Sequence, residues 1–251
     1  MISSSDQSLA LDTPFLDLQE LALPASVSIR DIFLSHRALH GEPSLDRSNW
    51  ETDRSNWLRL TPQQQEVFVH VLTRFSFGMR VALDLISTLE NAAQIGGREA
   101  PVHYAAVRAD TGFVAEACES YRLEVGGRDG DPGALTEGFR KVFETIFPAR
   151  KGDLEKALKT ATRREQIRSE AALRTDYHVI GEGLGAITGI WGMNAAMREL
   201  KNASGGESVL PGLASLVGAV TLVERRNIAF GLSEMGELAR EAYFPTVISS
   251  V

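Results

Sequence analysis

The chain has 251 residues, 43% of them hydrophobic and 24% charged, which is enough for one domain with a well-buried core. Its formal net charge is −7, and an acidic surface repels phosphate backbones, so nucleic acid is not expected as a partner. The single cysteine, Cys118, excludes an intrachain disulfide. No secretory signal is visible, and the longest apolar stretch is too short and too interrupted to span a membrane, so we expect a cytoplasmic protein.

The first part of the chain, residues 1–45, is predicted to be an arm and loop, and residues 46–251 a helical domain. The sequence Asp-Arg-Ser-Asn-Trp begins at Asp46 and recurs seven residues later at Asp53. Two copies do not make a repeat protein, and we interpret the pattern as a short duplication in a loop. One of the two tryptophans is expected to pack on the helical domain.

Strong helical signals begin after the second copy. Thr61 is a predicted N-cap, Pro62 occupies the first helical position, and Gln64 completes a capping box. This helix should reach about Ala93. Further helices are predicted at 101–125, at 133–147 with a stop at Pro148, from a cap at Asp153 to 174, through 177–200, and from 211 to 242. No segment alternates with period two, so the predicted fold is all-α.

Glycines cluster in the predicted helix through 177–200. Each costs up to about 1 kcal/mol relative to alanine in a helix interior. The cluster indicates either close packing between helices or a distorted helix beside a cavity. Its members are Gly181, Gly183, Gly185, Gly189 and Gly192.

Glutamates also occur inside the predicted helices, in apolar surroundings: Glu116, Glu119, Glu182 and Glu224. A lone buried carboxylate is costly unless it is protonated, paired or bound to metal. Di-iron carboxylate bundles bring such side chains inward from separate helices, one Glu from each of two helices and Glu-x-x-His from each of two others. The sequence therefore predicts a carboxylate site inside a helical bundle.

The chain resembles the ribonucleotide reductase small subunits and the related ligand-binding oxidases. The stretch from Trp57 to Leu89 is similar to the first ligand helix of the small subunits. The last helix, which contains GAVTLVERRNIAFGL, is similar to the last ligand helix of the oxidases, which carries Glu-x-x-His-Ile-x-x-Gly. The resemblance implies a ferritin-like four-helix bundle with additional helices, an oxidoreductase activity, and a site that holds iron or manganese.

The sequence departs from that family pattern at three ligand positions. The first helix has no carboxylate between Phe75 and Arg80, and the two Glu-x-x-His motifs read EACE from Glu116 and ERRN from Glu224. The candidate metal ligands are then Glu116, Glu119, Glu182, Glu224, His178 and Asn227. Hard cations such as manganese or magnesium favour such oxygen-rich sets. Without a metal the carboxylates repel one another, and their pKa values rise or they pair with arginine.

Tyr177 is the candidate catalytic residue. In the ligand-binding oxidases a tyrosine five residues before the glutamate is cross-linked to a valine of the first helix, and Val81 or Ala82 would lie opposite here. The alternative is a core tyrosine with a bonded hydroxyl.

Two functions of different classes remain open from sequence. The first is a small-subunit-like oxidase with an altered, carboxylate-rich metal site that oxidises or binds a small apolar ligand. The alternative is a metal-free, non-catalytic protein that binds a hydrophobic ligand or pairs with an active homologue. In either case we expect a homodimer or a heterodimer with a homologue. A radical-generating partner of a reductase large subunit is a weaker third hypothesis.

Overall fold

The computed structural model describes residues 45–98, 101–127 and 135–243, so the predicted arm lies almost entirely outside the described residues. Within these ranges the chain forms helices and no strand, as predicted. The helices are α1 (Trp50–Trp57), α2 (Pro62–Ile95), α3 (Pro101–Glu124), α4 (Glu137–Arg140), a π-helix π1 (Lys141–Ile146), α5 (Phe147–Thr160), α6 (Arg163–Arg174), a second π-helix π2 (Thr175–Ala186), α7 (Ile187–Ala203) and α8 (Pro211–Tyr243).

The long helices α2, α3 and α8 confirm the sequence prediction. Thr61 caps α2 in a reciprocal capping box with Gln64, and Pro62 is its first residue. This arrangement satisfies two N–H groups that would otherwise lack partners at the helix start. No described helix is long and apolar enough to cross a membrane.

The predicted stop at Pro148 and the predicted cap at Asp153 are wrong, whereas the predicted helix end near residue 174 agrees with the end of α6 at Arg174. The helix does not stop at Pro148, because Pro148 is the second residue of α5, which continues from π1 without a break. Asp153 is an interior residue of α5 and not a cap. The break comes instead after Thr160, and Thr162 begins α6 with a capping box to Glu165.

The second copy of the pentapeptide lies in α1 and not in the predicted loop, whereas the first copy precedes the helix except for Trp50. Seven residues are close to two helical turns, so Trp50 and Trp57, at the two ends of α1, share a face. Both Trp50 and Trp57 are buried, where one had been expected. Asp53 is also fully buried and accepts hydrogen bonds from the first free N–H groups of α8, at Gly212 (3.1 Å) and Leu213 (2.8 Å). The second copy thus caps the last helix.

The core consists of two apolar clusters that occupy opposite ends of the bundle. One contains residues of α3 from Val114 onward and residues of α8 up to Val223. The other contains residues of α3 up to Val107 and, from α8, Phe230. The residues between these limits on each helix include polar side chains that are fully buried, so the two apolar clusters are separated by a polar layer.

Candidate functional site

The polar layer is built from α3, π2 and α8. Its buried side chains are Asp110 and Thr111 of α3, Tyr177, His178 and Glu182 of π2, and Glu224, Arg226 and Asn227 of α8. The helix α2 carries no carboxylate between Phe75 and Arg80, the region where the resemblance would place one, and the buried polar side chain there is Ser76. The layer lies inside the bundle, so its electrostatics are those of a low-dielectric interior.

His178 and Glu182 form a buried pair within π2. Nδ1 of His178 lies 2.7 Å from Oε2 of Glu182. Burial, followed by the positive charge of Arg174, lowers the pKa of His178 to about 3. Burial raises the pKa of Glu182 to about 8. Near neutral pH the imidazole is therefore uncharged and the carboxyl group is largely protonated, so the contact is a hydrogen bond between neutral partners.

Gly231 of α8 makes room for this histidine. A Cβ atom built on Gly231 would lie 2.1 Å from Cγ of His178, much closer than any real contact. The imidazole thus occupies the space that a side chain at position 231 would fill. Only glycine at this position lets His178 face Glu182 in its present place.

Glu224 is the residue of the layer that is least satisfied. It is fully buried, and neither of its carboxylate oxygens accepts a hydrogen bond from a described residue. Burial, and then the nearby charge of Glu182, raises its pKa well above the ordinary value. A buried acid without partners either holds a proton or binds a cation or water.

Tyr177 and Asn227 complete the layer. Burial, and then the charge of Glu182, raises the pKa of Tyr177 well above its ordinary value, and its buried hydroxyl has no hydrogen-bond partner among the described residues. The Asn227 amide donates to the Thr111 hydroxyl at 3.4 Å, and its Oδ1 has no partner among the described residues. The ring of Tyr177 lies in the same apolar cluster as Ala82, one of the two residues predicted opposite it.

Glu116 and Glu119 are not part of the layer. Glu116 is exposed, and Glu119 is half-buried and pairs with Arg80 of α2, with Arg122 at 3.9 Å. The expectation that both glutamates point inward is corrected by the register of α3. Its buried face after Thr111 runs through Val114, Cys118 and Tyr121, which places position 116 on the opposite side.

Sequence reasoning missed Thr111, Gly231 and the buried pair of Asp110 with Arg226. In that pair an Arg226 nitrogen lies 3.2 Å from Oδ2 of Asp110. Asp110 gave one usable signal, because it is four residues before Val114 on the apolar face of a predicted helix. Gly231 gave no signal in the sequence, because the need for glycine at this position comes from His178, which lies on another helix.

A second buried polar cluster, composed of charged residues and one tyrosine, lies beyond His178. Arg174 donates from Nε to Glu170 at 2.9 Å and lies 3.3 Å from Glu234. Tyr104 donates to Glu234 at 3.1 Å, and Arg98 pairs with Glu170. These ion pairs explain why Arg174 stays charged inside the bundle and why it disfavours a second positive charge on His178.

An apolar pocket of about 370 Å³ opens beside the polar layer, between α2, α4, π1, π2 and α7. Its buried end includes Phe75, Met79 and Ala186, and its exposed rim includes Ile180 and Leu184. The full lining is Val71, Arg74, Phe75, Gly78, Met79, Gly138, Phe139, Val142, Phe143, Ile180, Gly181, Leu184, Gly185, Ala186, Thr188 and Gly189.

The glycine cluster allows close helix packing and also lies in a distorted helix beside a cavity, the two alternatives that the sequence left open. Gly181 and Gly189 allow close packing, because a Cβ at these positions would lie 3.1 Å from Phe147 and 3.0 Å from Phe75, respectively. Gly185 instead borders open pocket space, since a Cβ there would meet only a backbone oxygen at 3.5 Å. The segment is also a distorted helix beside a cavity, because residues 175–186 are π-helical.

Among protein-family models, curated proteins and solved structures, the solved structures are the group in which similar proteins were found. No model of a protein family matches the sequence, and no curated protein does. The R2-like ligand-binding oxidase of Sulfolobus acidocaldarius superposes with a TM-score of 0.66 at 19% identity, over 91% of this chain and 82% of that one. The chain has the fold of the R2-like ligand-binding oxidases. The predicted ferritin-like helical architecture is thereby confirmed.

Variants with this R2-like oxidase fold have been solved with metal. One with an aerobically reconstituted Mn/Fe cofactor matches with a TM-score of 0.66 at 18% identity, over 90% of this chain and 78% of that one. Another, with a non-activated Mn/Mn cofactor, matches with a TM-score of 0.67 at 17% identity and the same coverage. At these identities the likeness defines the fold.

The residues present here do not fit a dinuclear Mn/Fe centre. Such centres in ferritin-like bundles draw on four carboxylates and two histidines. Among the described residues no three His, Cys, Asp or Glu side chains are grouped closely enough to hold an ion. Glu116 and Glu119 point away, and Nδ1 of His178 is engaged by Glu182. Glu182 and Glu224 are the carboxylates of the candidate set that remain inside.

Proposed function

We propose that this protein binds a small apolar ligand in the pocket between α2, α4, π1, π2 and α7. The observation that carries the proposal is the pocket itself, whose volume of about 370 Å³ lies within the range of small-molecule sites, about 300–1,000 Å³. Its wall is formed almost entirely by aliphatic and aromatic side chains and by glycines. Transfer of an apolar ligand into such a wall is favoured by the hydrophobic effect.

The position of the pocket beside the polar layer supports the same function. Gly181 and Ala186, which line the pocket, flank Glu182 in π2. Since Glu182 is largely protonated and His178 uncharged near neutral pH, the neighbouring pair presents little net charge to an apolar ligand.

Filling the pocket tests this proposal. Gly185→Phe should place a ring in the cavity and abolish binding of phenylnaphthylamine, a neutral probe that fluoresces in apolar sites. Gly152→Phe in α5 is the matched control, because Gly152 also has open space around its Cα and lies outside the pocket. Equal binding by both variants and the unmodified protein, or no binding by any of them, would refute the proposal.

A metal-dependent oxidoreductase is a second candidate function. It is supported by the buried oxygens of Glu224, which lack hydrogen-bond partners and lie near Glu182. These two carboxylates, with Oδ1 of Asn227, would hold a single hard cation such as manganese, or iron, in place of a pair. Tyr177, a buried residue of the same polar layer, is then the candidate catalytic residue.

Metal analysis separates this candidate from a metal-free, non-catalytic protein. Protein from cells supplemented with iron or manganese should contain about one equivalent of metal, and Glu224→Gln should lose it. Glu116→Gln, on the exposed face of α3, should retain it. Metal content that is negligible under every supplement, or equal in both variants, would leave the metal-free alternative.

We also propose a cytoplasmic protein that forms a homodimer, or a heterodimer with a homologue. Light scattering coupled to size-exclusion chromatography gives the mass of the purified protein directly. A monomer at all concentrations, with no homologue recovered on co-expression, would refute the dimer.

A further inference from the structure

The pocket wall contains one charged side chain, Arg74 of α2. It is half-buried, and its guanidinium carbon lies 4.8 Å from the centre of the Phe139 ring, a cation–π distance. The other polar side chain of the wall, Thr188, is already satisfied, because its hydroxyl donates to the backbone oxygens of Leu184 and Gly185. Arg74 is therefore the polar group that the pocket offers to a ligand.

Arg74 is unusual among the arginines that the structure describes. Five other buried or half-buried arginines face carboxylates: Arg98 and Arg174 face Glu170, Arg108 faces Glu90, Arg163 faces Glu241, and Arg226 faces Asp110. Arg74 forms no ion pair and donates no hydrogen bond to any residue within the described ranges. Burial lowers its pKa, which shows that the lost hydration is not compensated by a nearby carboxylate.

A partly desolvated guanidinium is stabilised when its N–H groups meet an anion. One face of Arg74 is covered by Phe139, and the edge N–H groups remain for a ligand. Gly138, the neighbour of Phe139, is exposed, whereas Phe75 and Met79 deeper in the wall are buried. The charged group thus lies near the rim and the apolar surface continues inward.

We propose that Arg74 is a specificity-determining residue that selects ligands carrying a negative charge at the end nearest the pocket rim. This inference rests on the proposed ligand-binding function. The ligand class is an amphipathic anion whose apolar part enters the pocket first. The chain as a whole has a net charge of −7 and repels anions, so a preference for an anionic ligand has to come from a local group.

Two ligands with the same alkyl chain test the inference, decanol and decyl sulfate. The sulfate carries a charge that does not titrate, so the ratio of their affinities reports the charge alone. Both are measured by displacement of phenylnaphthylamine, with the sulfate below its micellar concentration. We expect decyl sulfate to bind about tenfold more tightly than decanol, and Arg74→Gln to remove this difference while the affinity for decanol is unchanged.

Arg80→Gln is the matched control, because Arg80 lies on the same helix, pairs with Glu119 and does not line the pocket. It should retain the preference for the sulfate, and added salt should weaken that preference. If decanol binds but the sulfate is not preferred, or the preference survives Arg74→Gln, or Arg80→Gln also loses it, the role of Arg74 is overturned and the ligand-binding function stands. If neither ligand binds, the ligand-binding function fails and this inference fails with it.

Discussion

Replacement of Glu182 by Gln is expected to stabilise the protein increasingly as the pH rises. The pKa of Glu182 is about 8 in the fold and 4.5 in a free glutamate. Between these values the unfolded chain has lost a proton that the folded protein still holds, so the stability of the native protein falls as pH rises through this window. The two pKa values, about 8 and 4.5, differ by about 3.5. At about 1.4 kcal/mol per pH unit, the native protein therefore loses at most about 5 kcal/mol of its free energy of unfolding across this window.

Urea unfolding at several pH values, with a chelator present, measures this effect. The free energy of unfolding of Glu182→Gln minus that of the native protein should grow from about pH 4.5 to pH 8 and then level off. The Gln side chain still has N–H groups that can donate to His178. Any difference in the strength of this hydrogen bond therefore changes the stability by the same amount at every pH. Glu116→Gln, on the exposed face of α3, should give a difference that does not follow this profile. A difference for Glu182→Gln that is constant or falls with pH would refute the reasoning.

Three further substitutions test other parts of the fold. His178→Asn should lessen the loss of stability in acid. Between pH 6.5 and about 3 the imidazole is protonated in the unfolded chain but not in the fold, so the native protein loses stability as the pH falls through this range. Acid titration followed by circular dichroism measures the effect. Gly231→Ala should lower the free energy of unfolding by about 1–3 kcal/mol, because the new methyl group clashes with His178. Gly236→Ala on the same helix should raise it by up to about 1 kcal/mol, because the space there is open. A smaller loss at 231 than at 236 in urea unfolding would contradict the assigned geometry. Asp53→Asn should lower the free energy of unfolding by about 1–3 kcal/mol, because it weakens a buried cap of α8. Asp46→Asn, in the exposed first copy of the pentapeptide, should lower it far less, as measured by thermal unfolding.

Local signals in the sequence predicted the parts of the fold that local physics determines. Thr61, Pro62 and Gln64 define the start of α2 through contacts within one helical turn. The boundary at Pro148 was predicted wrongly because proline is compatible with the first turn of a helix, and nothing in the sequence showed that π1 would precede it. The second copy of the pentapeptide was assigned to a loop because four of its five residues are polar, and the burial of Asp53 and Trp57 depends on contacts with distant helices.

The candidate site was predictable where a glutamate lies in apolar surroundings within a predicted helix. Glu224 follows a strongly apolar stretch of α8, Glu182 lies among apolar residues and glycines of π2, and both are buried. Glu116 was placed wrongly because α3 carries small residues on both sides, so the sequence alone does not define which face is buried. The spacing of His178 and Glu182 lets both side chains share one face of a helix, but the space that Gly231 provides for the imidazole depends on contacts between distant helices.

The π-helical segment π2 has a consequence for how the chain can change in length. Loss or gain of one residue within 175–186 would rotate everything that follows by about 100° about the helix axis. Ile190, Met193 and Met197 of α7 would then turn from the core towards solvent. We therefore expect distant relatives to keep the length of this segment fixed and to place insertions or deletions in the connection between Ala203 and Pro211, where the path of the chain affects no buried helix face.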